Sequence, residues 1–339
     1  MRGSARLELL RTLALVLVIA ASVAAFLQAA RTTEDTTQTD DVSIDPRLST
    51  NQPESPAASP CPPSSELIEP FYGMQFVQQD ELGTVRKLGV EVVLMALPHD
   101  GAPSDWLGYL DAAKAEGIHV IPWLWPQGWT WVGATWEIDA QARLFLRTVA
   151  GHPALLATYG LHEPYWNECE GCGYTTAAQQ ALYRAIKAIA DVPLYSEING
   201  IAYWTARGEA TAFADGICDY CQTSYYPFKD ARVYERDRAI NGLRTDLAVA
   251  RDRAPHSKIV WTMPAFAYPG GGFRVPTAEE MRDLASVVYS EQIAGAWWYP
   301  WQFSDLYTDF LRNHRELYPS VRAIFDDYVQ RAKTARCAS

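Results

Sequence analysis

Eight short apolar runs recur after Glu66, each bounded by Gly, Pro or polar residues and separated from the next by a stretch of helical spacing. They are FYGMQFV (71–77), VEVVLMAL (90–97), IHVIPWLW (118–125), ALLATYGL (154–161), VPLYSEI (192–198), DYCQTSYY (219–226), KIVWTMPAF (258–266) and IAGAWWYPW (293–301). Runs of this length and composition read as buried strands. Between them, Trp106, Leu110 and Ala113 after Ser104, then Leu182, Ile186 and Ile189, then Met281, Leu284 and Val288, fall on single helical faces. Thr277 with Glu280 three residues on forms a capping box ahead of the seventh helix. Val321, Ile324, Phe325 and Tyr328 mark the last helix. Eight such units, with no glycine-rich dinucleotide fingerprint after the first run, predict an α/β protein of one domain, a (β/α)8 TIM barrel, over residues 66–335.

The N-terminal part cannot belong to that barrel. Arg2, Arg6 and Arg11 precede the apolar run TLALVLVIAASVAAFLQAA, which gives residues 1–30 the character of a signal peptide. Small residues at Val23-Ala24-Ala25 and Gln28-Ala29-Ala30 permit cleavage, and the run is also nearly long enough for a single N-terminal membrane anchor. Residues 31–65 are rich in Thr, Ser, Pro and Asp and poor in large apolar groups, so they read as a disordered stalk that cannot offset the entropy of ordering. The expected location is secreted, or anchored on the outer face of the cytoplasmic membrane.

Charge narrows the partners. Lys plus Arg at 29 against Asp plus Glu at 40 gives a net charge of −11, which repels nucleic acid and anionic lipid. No cofactor fingerprint is present, and no HxH or HExxH pattern occurs among the 6 His, so neither a cofactor nor a catalytic metal is expected. The 12 Trp and 18 Tyr are the unusual part of the composition. Flat amphipathic rings can pack a core, and they can also stack on sugar faces.

In a parallel barrel the active site lies at the carboxyl ends of the strands. The fourth run ends at His162-Glu163-Pro164, followed by Tyr165 and Trp166, and Pro164 cannot continue a ladder because it lacks an amide proton. Glu163 is therefore the leading catalytic candidate. The other strand ends offer Gln78, Gln79 and Asp80; His99 and Asp100; Trp125, Gln127 and Trp129; Glu197 and Asn199; Ser224, Tyr225 and Tyr226; Ala265, Phe266 and Tyr268; and Trp301, Gln302 and Asp305. Aromatic walls with amide, hydroxyl and carboxyl groups between them suit a carbohydrate. Trp125, Trp129, His162, Tyr226, Trp301 and Gln302 are the expected substrate contacts. With the strand pleat continued, His162 would point away from Glu163.

The stretch GHPALLATYGLHEP, with DYCQTSYYP, FRVPTAEEMR and GAWWYPW, resembles (β/α)8 glycoside hydrolases, in particular clan A-like families whose fourth strand ends in Asn-Glu-Pro or Asp-Glu-Pro. The similarity covers most of residues 70–330. It implies that Glu163 is the general acid/base of an enzyme that hydrolyses O-glycosidic bonds of a polysaccharide or oligosaccharide; a monomer is expected. His162 stands where Asn or Asp is usual, Ser224 stands where relatives often have Asp, and the seventh strand ends without the nucleophilic Glu of that clan. Glycoside hydrolysis uses two carboxylates, and Glu197, at the end of the neighbouring strand, is the candidate for the second. A barrel that binds glycan without cleaving it is the alternative expectation.

Of the 6 Cys, export favours disulfides over thiols. Cys169–Cys172 and Cys61–Cys337 are the expected bridges, with Cys221 a buried thiol. Cys218 and Cys221 lie around a strand, where residues three apart face opposite sides and cannot easily share a zinc ion. A chain beginning just before Cys61 should melt at the same temperature as the full mature chain. A large loss in a thermal scan would mean that the stalk packs on the barrel.

Overall fold

The computed structural model describes residues 67, 69–165, 174–229, 233–302 and 307–338. Eight parallel strands form one sheet: β1 (Phe71–Gln75), β2 (Val92–Pro98), β3 (His119–Trp125), β4 (Thr158–His162), β5 (Leu194–Glu197), β6 (Tyr220–Ser224), β7 (Lys258–Pro264) and β8 (Gly295–Tyr299). They run in the order β3-β2-β1-β8-β7-β6-β5-β4. The segment ahead of β4 closes the ring, since Val120 pairs with Leu155 and exchanges backbone bonds with Ala154 (2.7 Å) and Leu156 (2.9 Å). Each expected strand is present at its expected place.

Helices follow the strands: α1 (Leu82–Lys87), α2 (Pro103–Ala115), α3 (Ala140–Val149), α4 (Thr176–Ile189), α5 (Ile201–Ala206), α6 (Arg236–Arg253), α7 (Ala278–Val288) and α8 (Tyr318–Ile324). The last continues through a π turn, Phe325–Val329, into α9 (Gln330–Ala338). Thr277 caps α7 in the capping box expected from the sequence.

Alternation along the strands divides the apolar residues into two layers. Tyr72, Met74, Val93, Trp261, Met263 and Trp298 face the helices, where Leu110, Leu182, Leu243 and Leu284 meet them. Phe71, Leu94, Ile121, Trp123, Tyr159, Tyr195, Val260 and Trp297 fill the barrel interior. Rings this large fit because glycine lies opposite two of them. A Cβ at Gly295 would sit 2.5 Å from the Phe71 ring, and one at Gly73 would sit 2.9 Å from Trp297 Cβ.

Two features at the carboxyl end were not expected. The β3–α3 connection carries a hairpin of Trp129–Val132 with Thr135–Ile138, and Phe266–Ala267 pairs with Asp309–Phe310 as a short antiparallel ribbon. β1 ends at Gln75 and the chain turns at Phe76 (φ 61°), so Gln78, Gln79 and Asp80 belong to an exposed turn and not to the strand end.

The cysteines also differ from expectation. Cys221 is not a thiol: it is bonded to Cys218, with Cα atoms 5.6 Å apart. Three extended residues would span about 10 Å. Cys218, however, precedes the start of β6 in a turn with Gly216 at φ 78°, so the chain is folded back there. Cys337 is disulfide-bonded as well, and its partner lies outside the described residues, as do Cys61, Cys169 and Cys172. The expected signal or anchor (1–30) and stalk (31–65) lie outside them too. Among the described residues, no helix is long and apolar enough to cross a membrane, and no group of three His, Cys, Asp or Glu could hold a metal ion.

Gly295→Ala should cost about 1 to 3 kcal/mol through overpacking against Phe71. The check is a lower urea midpoint at unchanged m-value.

Candidate active site

The site begins with an irregularity in β4. Its pairing with β5 runs Thr158 with Leu194 and Tyr159 with Tyr195, and then shifts so that His162 lies opposite Glu197. An extra residue of this kind leaves backbone groups unpaired and re-aims the side chains beyond it. Side chains take up those groups here. Gly160 O accepts from Gln127 Nε2 (2.8 Å) and Trp129 Nε1 (3.1 Å), and Leu161 N donates to Ser196 Oγ (3.2 Å).

Past the bulge, Tyr159 and His162 face the same interior and touch, hydroxyl to Nδ1, at 3.0 Å. His162 therefore does not point away from Glu163 as a continued pleat would require. Glu163 itself has φ 42°, a left-handed conformation that costs a non-glycine residue about 1 to 3 kcal/mol and collects at functional sites. Its N–H donates to Glu197 O at 3.0 Å, which ties the end of β4 to the end of β5.

His162 stands between two carboxylates. Its Nδ1 is 2.5 Å from Glu197 Oε2, and its Nε2 is 3.9 Å from Glu163 Oε2. One imidazole thus reaches both carboxyl groups. Their surroundings differ. The Glu163 side chain is 37% exposed and that of Glu197 is 9% exposed.

Under the carboxylates lies a floor of buried amides. Gln222, in the middle of β6, accepts through Oε1 from Gln75 Nε2 across the barrel (3.0 Å) and from the Tyr195 hydroxyl, and donates through Nε2 to Asn199 Oδ1 (3.3 Å). The Tyr195 hydroxyl also lies 3.3 Å from Glu197 Oε1. Asn199 Oδ1 accepts from Ser224 Oγ (2.8 Å), while its Nδ2 donates to Glu163 Oε1 (2.7 Å).

Aromatic rings make the walls. Trp123 stacks on Tyr159 (centroids 4.6 Å, 18°) and on His162 (6.1 Å, 23°), and Trp125 stands edge-on to Trp123 (4.8 Å) with 53% of its surface exposed. Opposite, Tyr226 and Tyr299 lie parallel at 6.3 Å, Phe266 packs against both, and the Tyr307 hydroxyl meets that of Tyr299 at 2.9 Å. Burial, with Tyr307, Glu197 and Glu163 nearby, drives the Tyr226 phenol well above its usual range. Burial likewise raises Tyr299, and lifts Tyr307 to about 12. These phenols are neutral donors at any working pH.

Two expected wall residues are buried instead. Trp129 is 4% exposed, with its indole N–H used on Gly160 O as above. Trp301 is 1% exposed and donates to Glu81 Oε2 at 2.9 Å, while Glu81 Oε1 pairs with Arg312 (2.7 Å). Gln302 accepts from the same Arg312. Trp129 and Trp301 thus lie in the packing, whereas His162 touches Glu197, Trp125 reaches His162 through Trp123, and Tyr226 lies near Glu163 and Glu197. The sequence reading passed over Gln75, Tyr159, Tyr195 and Gln222, whose signal was polar groups inside apolar runs, and also Trp123, Tyr299 and Tyr307.

No family model and no curated protein matches the sequence. Among solved structures, the endo-beta-1,4-mannanase from Thermotoga petrophila is similar at a TM-score of 0.51 and 13% identity, over 76% of this chain and 77% of that one. Saccharomyces cerevisiae Gas2p in complex with laminaripentaose follows at 0.47 and 13%, over 77% and 65%, and a Rhizomucor miehei beta-1,3-glucanosyltransferase with laminaritriose at 0.43 and 12%, over 67% and 86%. The resemblance to (β/α)8 glycoside hydrolases holds at the level of the fold. That fold places the end of β4 where such enzymes work.

Exposure separates the tryptophans experimentally. Trp125→Ala should leave the melting temperature within experimental error and weaken glycan binding measured by affinity electrophoresis. Trp301→Ala should cost about 3 to 5 kcal/mol of stability, because it empties a buried site and leaves Glu81 short of a donor.

Proposed function

We propose that this chain is an extracytoplasmic glycan-active enzyme that hydrolyses O-glycosidic bonds, with Glu163 as the proton donor to the leaving sugar oxygen. The observation that carries the reading is the pair of carboxylates at the ends of adjacent strands, joined by one imidazole beneath an aromatic cleft. Glu163 has the exposure to reach a substrate. Glu197 is held by His162, so its carboxyl group lies fixed below the reaction centre, where a carboxylate favours an oxocarbenium-like transition state.

Trp125 offers an exposed ring on which a sugar face can stack, and the buried phenols of Tyr299 and Tyr307 offer neutral hydrogen bonds to hydroxyl groups. Export is supported by the basic and apolar N-terminal stretch and by the disulfides at Cys218–Cys221 and Cys337, which belong to an oxidising compartment. A second reading, glycan binding without cleavage, draws on β7, which runs out into Ala265 and Phe266 with no carboxylate.

Glu163→Gln decides between them. The variant keeps the shape and removes the proton donor, so it should retain stability and glycan binding while turnover of a cleaved polysaccharide falls by roughly 10² to 10⁴. Substrates with activated leaving groups need less protonation and should lose less. Undiminished turnover would take Glu163 out of the mechanism, and binding without turnover in the unaltered protein would establish the second reading.

A further inference from the structure

A carboxylic acid that protonates a leaving group must hold its proton on the oxygen that faces that group. Nothing in the Glu163 side chain alone selects one oxygen over the other; its neighbours do. Asn199 has one carbonyl oxygen and one amide nitrogen to distribute, and the oxygen is taken twice, by the Ser224 hydroxyl at 2.8 Å and the Gln222 amide at 3.3 Å. The nitrogen is thereby turned toward Glu163 Oε1 at 2.7 Å. An N–H pointed at Oε1 bonds best to a carbonyl-type oxygen, which favours the proton on the other oxygen of the carboxyl group. That is Oε2, the oxygen on the His162 side.

The backbone behind Asn199 is fixed as well. Ile198 N donates to Gln222 O at 2.7 Å, and Gly200, at φ 75°, turns the chain and gives its N–H to Thr223 Oγ1 at 3.4 Å. Asp246, buried on α6, accepts from Ala202 N at 2.7 Å and from the Thr223 hydroxyl. The amide thus has little freedom to swing off the carboxylate.

We infer that Asn199 is the positioning residue of the proton donor: it directs the acidic proton of Glu163 to Oε2 and favours the ionised carboxylate that forms once the proton has left. This rests on Glu163 as the acid. Among the described residues, the titratable groups facing Glu163 are His162 from its own strand, Glu197 from β5, Tyr226 at the end of β6 and Tyr307 after β8. The two phenols stay neutral.

The test reads the Glu163 carboxyl directly, in the full chain and without substrate, by carbon-13 NMR of labelled glutamate with Glu163→Gln assigning the signal. Asn199→Ala removes a hydrogen bond to a charged group, so the titration midpoint of Glu163 should rise by about one unit. Asn199→Asp places a like charge there and should raise it further. Ser224→Ala, which unpins the amide and leaves Asn199 in place, should give a smaller rise and serves if the Asn199 variants fold poorly. The falling alkaline limb of kcat/KM should move upward with the midpoint, since an acid that holds its proton longer works to higher pH, while kcat at the optimum drops. A merely structural role would lower activity at every pH and leave midpoint and limb where they are. Unmoved midpoints in folded Asn199 variants overturn this inference alone, provided Glu163→Gln has lost turnover; full turnover in Glu163→Gln overturns it together with the acid assignment.

Discussion

The whole cleft depends on one extra residue in β4. A regular strand would send Tyr159 and His162 to opposite faces. The shift between them brings both inward, and the backbone groups it orphans are satisfied by Gln127, Trp129 and Ser196. Buried backbone groups without partners would cost enough to erase such a bulge. The hairpin after β3 and the middle of β5 therefore act as the frame that makes the irregularity affordable.

From that bulge the arrangement of charge follows. His162 reaches Glu197 because it faces inward, and Glu163 meets Asn199 because its backbone has turned left-handed. Beneath them lie two amides and a phenol, Gln75, Gln222 and Tyr195, which can donate or accept without adding charge. Two carboxylates near one another in a low-dielectric site repel strongly unless something lies between. An imidazole between them answers that requirement, and its stacking on Trp123 holds the ring in plane.

Much of this was legible in the sequence, and what was not has a physical reason. Strand and helix positions could be read because apolar periodicity is set by which face is buried, and Glu163 because Pro164 marks the end of its strand. The bulge was not, since GLHEP scans as an ordinary strand end and the pairing shift depends on β5. Trp129 and Trp301 were expected in the cleft because strand ends face it, yet each follows its strand into a connection that folds back under the rim. Cys218 was misjudged because the alternation of the strand was applied to a residue that precedes it. Gln222 inside an apolar run was the clearest unused signal: a polar group in a barrel interior has to be bonded to something.

The rings of the barrel interior form a continuous chain of contacts up to the cleft wall, Phe71 against Trp297 (6.0 Å), Trp297 against Tyr195 (5.1 Å), Tyr195 against Tyr159 (5.3 Å) and Tyr159 against Trp123 (4.6 Å). Close-packed interiors yield little, so the floor has no slack to accommodate a differently shaped ligand. Divergence in what such a protein recognises would then accumulate at the exposed tip of the hairpin after β3, residues 132–135, rather than in Trp129 or Phe266, which are buried. The aromatic plug separates the part of the chain that can drift from the part that cannot.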